Sequence, residues 1–237
     1  MARTRRSHFD PRGAWFLSLA YLSLAYLLVG LLSRGSASAG DLEFWPSIEY
    51  TLLESGQLRW RLEGSGRLND DVQHLYDRRL STLVETGLKW DVRIAGGYVL
   101  RSSEFPGFGF QVDHRFVGGV SFPLWRGQSS VTTAVLYERH LGRPDIEDFN
   151  RYRQRIEIER GRGKLAPFLY EDLTFQQREG FVRSRSRAGL RWQFSSGRSL
   201  AVSYQFEANK QQAAWRPRHA IVTALDIGRA RPGNPSP

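Results

Sequence analysis

Cysteine is absent from the chain. That excludes a disulfide framework, thiolate metal sites, a cysteine nucleophile and a lipidated-cysteine anchor. It leaves the compartment open, because exported proteins do not require disulfides. Beyond the first forty residues there is also no run of about twenty apolar residues, so no later helix can span a bilayer. A convincing helical period is missing throughout the same region. If this part of the chain crosses a membrane, it does so as a closed barrel, the other arrangement that satisfies every backbone hydrogen bond in lipid. Histidine pairs at metal-binding spacing are lacking too, so no metal and no cofactor are expected. Nor is there a concentrated basic arm. The net charge is +10, and residues 1–39 hold five arginines against Asp10. The remaining positive charge is dispersed, so no nucleic-acid partner is expected.

What is present begins with a three-part N-terminus. A basic stretch carries Arg3, Arg5, Arg6 and Arg12, and an uncharged apolar run, AWFLSLAYLSLAYLLVGLL, covers residues 14–32. Small and polar residues follow, with Ala37-Ser38-Ala39 fitting the small-x-small rule of signal peptidase. This predicts a signal peptide over 1–39 cleaved after Ala39, with Gly40 as the neighbouring alternative. A permanent membrane helix is the competing reading, since the run is long enough to span. Arg5-Arg6 hints at a twin-arginine signal, but Ser7-His8-Phe9 after the pair fits that motif poorly, which favours ordinary secretion.

The remaining chain suits one domain, and its dominant pattern is period-two alternation. In residues 200–207, Leu200, Val202, Tyr204 and Phe206 oppose Ala201, Ser203, Gln205 and Glu207. In 57–63, Leu58, Trp60 and Leu62 oppose Arg59, Arg61 and Glu63, and in 151–159 Tyr152, Ile156 and Ile158 oppose arginines and glutamates. About eleven strands are predicted, near 42–52, 57–66, 79–90, 92–101, 114–124, 130–139, 151–160, 165–175, 181–194, 199–207 and 219–227. Their lengths suit tilted transmembrane strands. Short connections alternate with longer ones at 67–78, 102–113, 140–150, 176–180 and 208–218, the pattern of periplasmic turns and external loops. The expectation is an all-β, antiparallel up-and-down transmembrane β-barrel of about 10–12 strands over residues 40–227, with a disordered C-terminal tail at 228–237. Bacterial single-chain barrels normally have an even strand number, so eleven is an anomaly.

Alternation by itself does not say which face is inside, and a lipocalin-type soluble barrel shares the period. Three features favour an apolar exterior. The apolar faces are nearly free of charge. Aromatics gather toward strand ends, with Trp90, Trp125, Trp192 and Phe194 near short turns and Tyr98, Tyr137, Tyr152, Tyr204 and Phe206 near longer ones, resembling interfacial girdles. The chain also carries an export signal. The lumen-facing charges are then Arg59, Arg61, Glu63, Arg153, Arg155, Glu157, Arg185, Arg187 and Glu207. Opposed charges can pair across a narrow barrel and fill it. The alternative is an arginine-lined channel favouring anions. Arg183, Arg185 and Arg187 share one strand face; serving as a lipid-phosphate clamp would require them to lie near an outer rim.

Chemistry beyond passage has thin support. A hydrolase would need a serine, a base and an orienting group together; His114 or His140 with a lumen serine supplies candidates, as any chain of this size does. The stretch 106–110, PGFGF, reads as an aromatic loop able to touch lipopolysaccharide. Catalysis is not expected. The function classes are a structural or passive small-solute barrel with anions as candidate cargo, an outer-membrane lipid-modifying enzyme, and a soluble secreted lipid-binding barrel. The first implies outer-membrane lipid, lipopolysaccharide and the barrel-assembly machinery as partners, although the tail GRARPGNPSP lacks the usual terminal aromatic.

Residues 41–49, DLEFWPSIE, place Trp45 before an alternating Ser-Ile-Glu strand. A tight turn, a strand over 58–67 ending in arginine, and repeated strands closing at 219–227 follow. In this order the chain resembles the DUF2490 family, predicted bacterial outer-membrane barrels with an N-terminal signal. The resemblance spans about residues 41–227. It implies a location and a fold, and brings no activity or site residue with it.

Overall fold

Each of the eleven alternating segments forms a strand. The structure, a computed structural model, describes residues 42–69, 73–105, 107–141, 148–160, 164–195, 197–211 and 214–228. The strands are β1 (Leu42–Ser55), β2 (Leu58–Asn69), β3 (His74–Gly87), β4 (Arg93–Phe105), β5 (Gly109–Arg126), β6 (Ser129–Leu141), β7 (Phe149–Arg160), β8 (Leu165–Gln176), β9 (Gly180–Ser195), β10 (Arg198–Gln211) and β11 (Ala214–Ile227). The predicted signal and the predicted tail after Gly228 lie outside the described residues.

Every strand pairs with its neighbours in the chain, and β1 pairs with β11 to close a barrel. Sequential pairings are antiparallel. The closing one is parallel, running from Leu42 opposite His219 to Tyr50 opposite Ile227. An odd number of alternating strands leaves the first and last pointing the same way, so no other closure is available. The antiparallel expectation is corrected at this seam. Closure leaves no row of unpaired backbone groups exposed at an edge.

The ends of β1, β3, β5, β7 and β9 and the starts of the strands that follow them lie at one rim, the turn rim. The ends of β2, β4, β6, β8 and β10 and the starts of the strands that follow them lie at the opposite rim, where β1 also begins. Of the long loops read from the sequence at that rim, 67–78, 102–113 and 208–218 are largely strand. Backbone pairing continues through Asp77 opposite Ser103 and through Ser103 opposite Gln111. Polar residues replace the apolar ones there, which hides the strand from a hydrophobic pattern without ending it. At the turn rim, Leu88 N donates to Val92 O at 2.7 Å. The 3-10 turn inside that span puts Trp90 and Asp91 at φ near 60°, a left-handed conformation unusual for a bulky side chain.

The polarity of the wall is inverted relative to a water-soluble barrel. Large apolar side chains on every strand point outward and are exposed, among them Ile48, Trp60, Val84, Ile94, Phe116, Val135, Ile156, Leu190 and Val202. The buried face carries Asp77, Asp113, Arg115, Glu138, Arg153, Asp172, Arg185, Gln205 and Glu207. The buried apolar cluster is small, Trp45 with Ala220 and Val222, and sits under the β1–β11 seam.

Three inward glycines, Gly97, Gly119 and Gly189, let neighbouring strands approach closely. A Cβ on Gly119 would lie 2.7 Å from Val135 O, and one on Gly189 would lie 2.8 Å from Ser203 Cα. Gly96 faces open space, with nothing within 4 Å. Gly119→Ala and Gly189→Ala are each expected to destabilise the fold by about 1–3 kcal/mol through overpacking. Gly96→Ala should be neutral or slightly stabilising. Thermal unfolding followed by circular dichroism checks this, and equal melting points for all three variants would refute it.

Candidate functional site

The interior is a series of cavities along the barrel. At the rim opposite the turns a vestibule of about 430 Å³ is lined by Arg67, Arg101, Arg115, His140, Arg151, Arg183 and Lys210, among others. It shares Arg67, Arg101, Arg115 and Arg183 with a smaller central cavity of about 140 Å³. The central cavity shares Glu63, Arg79, Arg153, Arg185 and Arg187 with a third cavity of about 470 Å³. A fourth, about 290 Å³, continues to the turn rim past Arg61 and Glu85. The smallest of these volumes lies between the two largest, at a central waist.

Ion pairs line this interior, and most join adjacent strands along the wall. On β7, Arg153 Nη1 donates to Glu138 Oε1 of β6 at 2.5 Å, and its Nε donates to Asp172 Oδ1 of β8 at 3.1 Å. Asp172 is fully buried. It also accepts from Tyr170 Oη at 2.9 Å and from Arg155 Nη2 at 3.5 Å. Across β9 and β10, Arg185 Nε donates to Glu207 Oε2 at 2.8 Å. Glu207 further accepts from Asn209 at 2.7 Å and has Arg67 of β2 at 3.8 Å. Arg101 pairs with Asp77, and Arg115 Nε donates to Asp113 Oδ2 at 2.7 Å. Pairing along the wall, instead of across the lumen, leaves axial space between the charged side chains.

The remaining charges read from the sequence sit nearer the turn rim or pair with neutral groups. Arg61 donates to Glu49 at 2.7 Å and also pairs with Glu85. Arg59 donates to Thr51 Oγ1 at 3.2 Å, Glu63 accepts from Ser81 Oγ at 3.3 Å, and Glu157 pairs with Arg191 at 3.2 Å. Arg187 donates to the Gln205 side-chain oxygen at 2.8 Å. The Arg183–Arg185–Arg187 ladder lines the waist, with Arg183 also bordering the vestibule of the rim opposite the turns. Sequence reasoning missed Asp77, Asp113, Glu138 and Asp172, the acids that hold the arginines, and weighed His140 only as a catalytic base, whereas it contacts Asp113 and Glu138. Asp77, Asp113 and His140 lie in stretches taken for loops. Continuing the alternation of β5 backward from Phe116 through His114 and Val112 would have put Asp113 and Arg115 on the inner face.

The waist is lined by Arg67, Arg79, Arg101, Arg115, Arg153, Arg183, Arg185 and Arg187, against Glu63 and Asp77. Five of these arginines have an acidic partner. Arg183 donates only to Thr174 Oγ1, at 3.0 Å. Arg79 Nε is shut off from solvent and has no hydrogen-bond partner. Among the described residues Arg79, Arg183 and Arg187 make no ion pair.

The two histidines weighed as bases, His114 and His140, have the following partners. His140 has Asp113 at 3.4 Å from Nδ1 and Glu138 at 3.3 Å from Nε2, and its ring stacks on Phe149 at 4.3 Å. Both of its ring nitrogens face carboxylates. His114 is hydrogen-bonded to the Tyr98 hydroxyl. Among the described residues no cluster of histidines and acids could hold a metal ion. No helix there is long and apolar enough to cross a membrane, which says nothing about strands.

An eleven-stranded closed barrel, apolar outside and lined at its waist by arginines, defines a class of inverted-polarity β-barrels. Within it the family model described as "Protein of unknown function (DUF2490)" matches residues 42–218, and the chain belongs to that family. No curated protein and no solved structure matches the chain.

Asp172 carries much of the internal pairing. Asp172→Ala is expected to destabilise the barrel by about 3–5 kcal/mol, because it strands Arg153 without one of its acids. Asp172→Asn, which keeps the shape and an acceptor oxygen for Arg153, should cost less. Equilibrium unfolding of both variants is the check. An Asp172→Asn variant as unstable as Asp172→Ala would show that the charge, not the hydrogen bonding, is what Arg153 needs.

Proposed function

We propose that the protein is exported by its N-terminal segment and resides in a bacterial outer membrane, where the barrel provides a narrow passive path for small anions. The observation that carries this reading is the inverted wall. A belt of exposed Leu, Val, Ile and aromatic side chains surrounds an interior of ion pairs, whereas soluble monomers rarely expose apolar patches beyond a few hundred Å². The shortest strands have 12 residues, above the roughly 9–11 that a tilted strand needs to cross a bilayer. Outward aromatics form contacts near both rims. Tyr137 meets Tyr152 at 5.5 Å and Phe181 meets Trp215 at 5.2 Å toward the rim opposite the turns, while Trp192 meets Phe194 at 5.8 Å toward the turn rim. Such belts suit the two lipid–water interfaces. In this reading the turn rim faces the periplasm, lipid and lipopolysaccharide surround the wall, and the barrel-assembly machinery inserts it.

Anion preference follows from the waist, where arginines outnumber acids and a cation meets repulsion at the narrowest point. The purified chain is expected to require detergent and to migrate differently on gels when unheated. In planar bilayers it should give small conductances whose reversal potential favours anions, and Arg187→Gln should shift that potential toward cations. Purification without detergent would defeat the location. A silent bilayer would defeat the path and leave a purely structural barrel.

A further inference from the structure

The waist holds more positive charge than its own acids neutralise, in a place where charge is expensive. Arg79 of β3 and Arg183 and Arg187 of β9 make no ion pair among the described residues, and Arg79 Nε has neither solvent nor a hydrogen-bond partner. The three side chains are half-buried, and Glu63, on the same cavity but beyond ion-pair distance of Arg79, is the waist acid that no arginine holds; a partly desolvated cation short of counter-charge is costly. The neighbouring arginines cannot relieve it. They are held in their own pairs with Asp77, Glu138, Asp172 and Glu207, and they add to the positive field.

We propose that the waist is a binding site for one small tetrahedral oxyanion of the phosphate or sulfate class. Guanidinium groups reach the central cavity from β3, β4, β7 and β9, so donors arrive from around the barrel. A tetrahedral oxyanion presents acceptor oxygens in all of those directions, whereas a planar carboxylate or nitrate satisfies guanidinium forks only in its own plane. The cavity of about 140 Å³ is well below the roughly 300 Å³ at which pockets for drug-sized ligands begin, so nucleotides and glycans do not fit the waist. Trp45 lines the same cavity, with the Arg67 guanidinium 3.8 Å from its ring centre, and its fluorescence reports an anion drawn to that arginine. Access to the site rests on the anion path proposed above, with the waist as the point where a passing anion is held.

The test is calorimetric titration of the detergent-folded full chain with inorganic phosphate, and separately with sulfate, at ionic strength held constant with chloride. Saturable uptake of one anion per chain is expected. Arg79→Gln and Arg183→Gln should each weaken it by about tenfold or more, the loss of one charge-assisted contact. Arg78→Gln, which removes the same charge from the outer face, should leave it unchanged. Phosphate should also raise the unfolding temperature of the unmodified chain, a readout that does not depend on any variant folding. Phosphate that titrates no better than chloride and leaves the unfolding temperature unchanged overturns the site, as does a folded Arg79→Gln that binds like the parent. Binding with a silent bilayer keeps the site and removes the path. Conductance without phosphate binding keeps the path and removes the site.

Discussion

The structure depends on one pairing, the parallel seam between β1 and β11. An up-and-down sheet of eleven strands has two free edges, and each would present a row of unpaired backbone groups. Only the seam removes both. Parallel pairing is slightly less favourable per residue than antiparallel, so side chains matter more there than elsewhere around the wall. Trp45, Ala220 and Val222 pack beneath it, and Trp45 Nε1 donates to Glu43 at 2.7 Å. The small apolar cluster of the interior thus lies where the backbone needs most help.

Closure gathers many charged side chains into one interior. The wall resolves this by placing acids beside arginines on adjacent strands. Asp172 is shared between Arg153 and Arg155, and Glu207 between Arg185 and Arg67. Buried pairs of this kind are weak evidence for net stability, because desolvation offsets much of their attraction. Their clearer effect is positional. They hold guanidinium groups against the wall and keep the axis open on either side of the waist.

The strand set was largely legible in the sequence, because a wall with lipophilic and charged faces imposes strict period-two alternation. Segments such as 200–207 and 187–194 carry it without interruption. Strand ends at the rim opposite the turns were not legible. There His114, Arg78 and Arg139 occupy outward positions, and the apolar half of the pattern fades while backbone pairing persists. The named arginines of the interior could be read off their strands one at a time. Which acid meets which arginine depends on the stagger between strands around the whole closed sheet, a property no single segment encodes. Arg79 was invisible for the same reason, since nothing in its neighbourhood distinguishes an unpaired guanidinium from a paired one.

The odd strand number separates the ends of the barrel. β1 starts at Leu42 on the rim opposite the turns, and β11 stops at Ile227 on the turn rim. Chain segments attached at these two points therefore meet the barrel at opposite mouths. Even-stranded up-and-down barrels bring their ends to one mouth, where a short linker can join them. Here a linker would have to run back along β1 from Tyr50, which lies opposite Ile227, to Leu42, about 26 Å at the normal rise of a strand, so circular permutation through a two- or three-residue turn is closed to this fold. Partners fused at the two ends are held at opposite mouths.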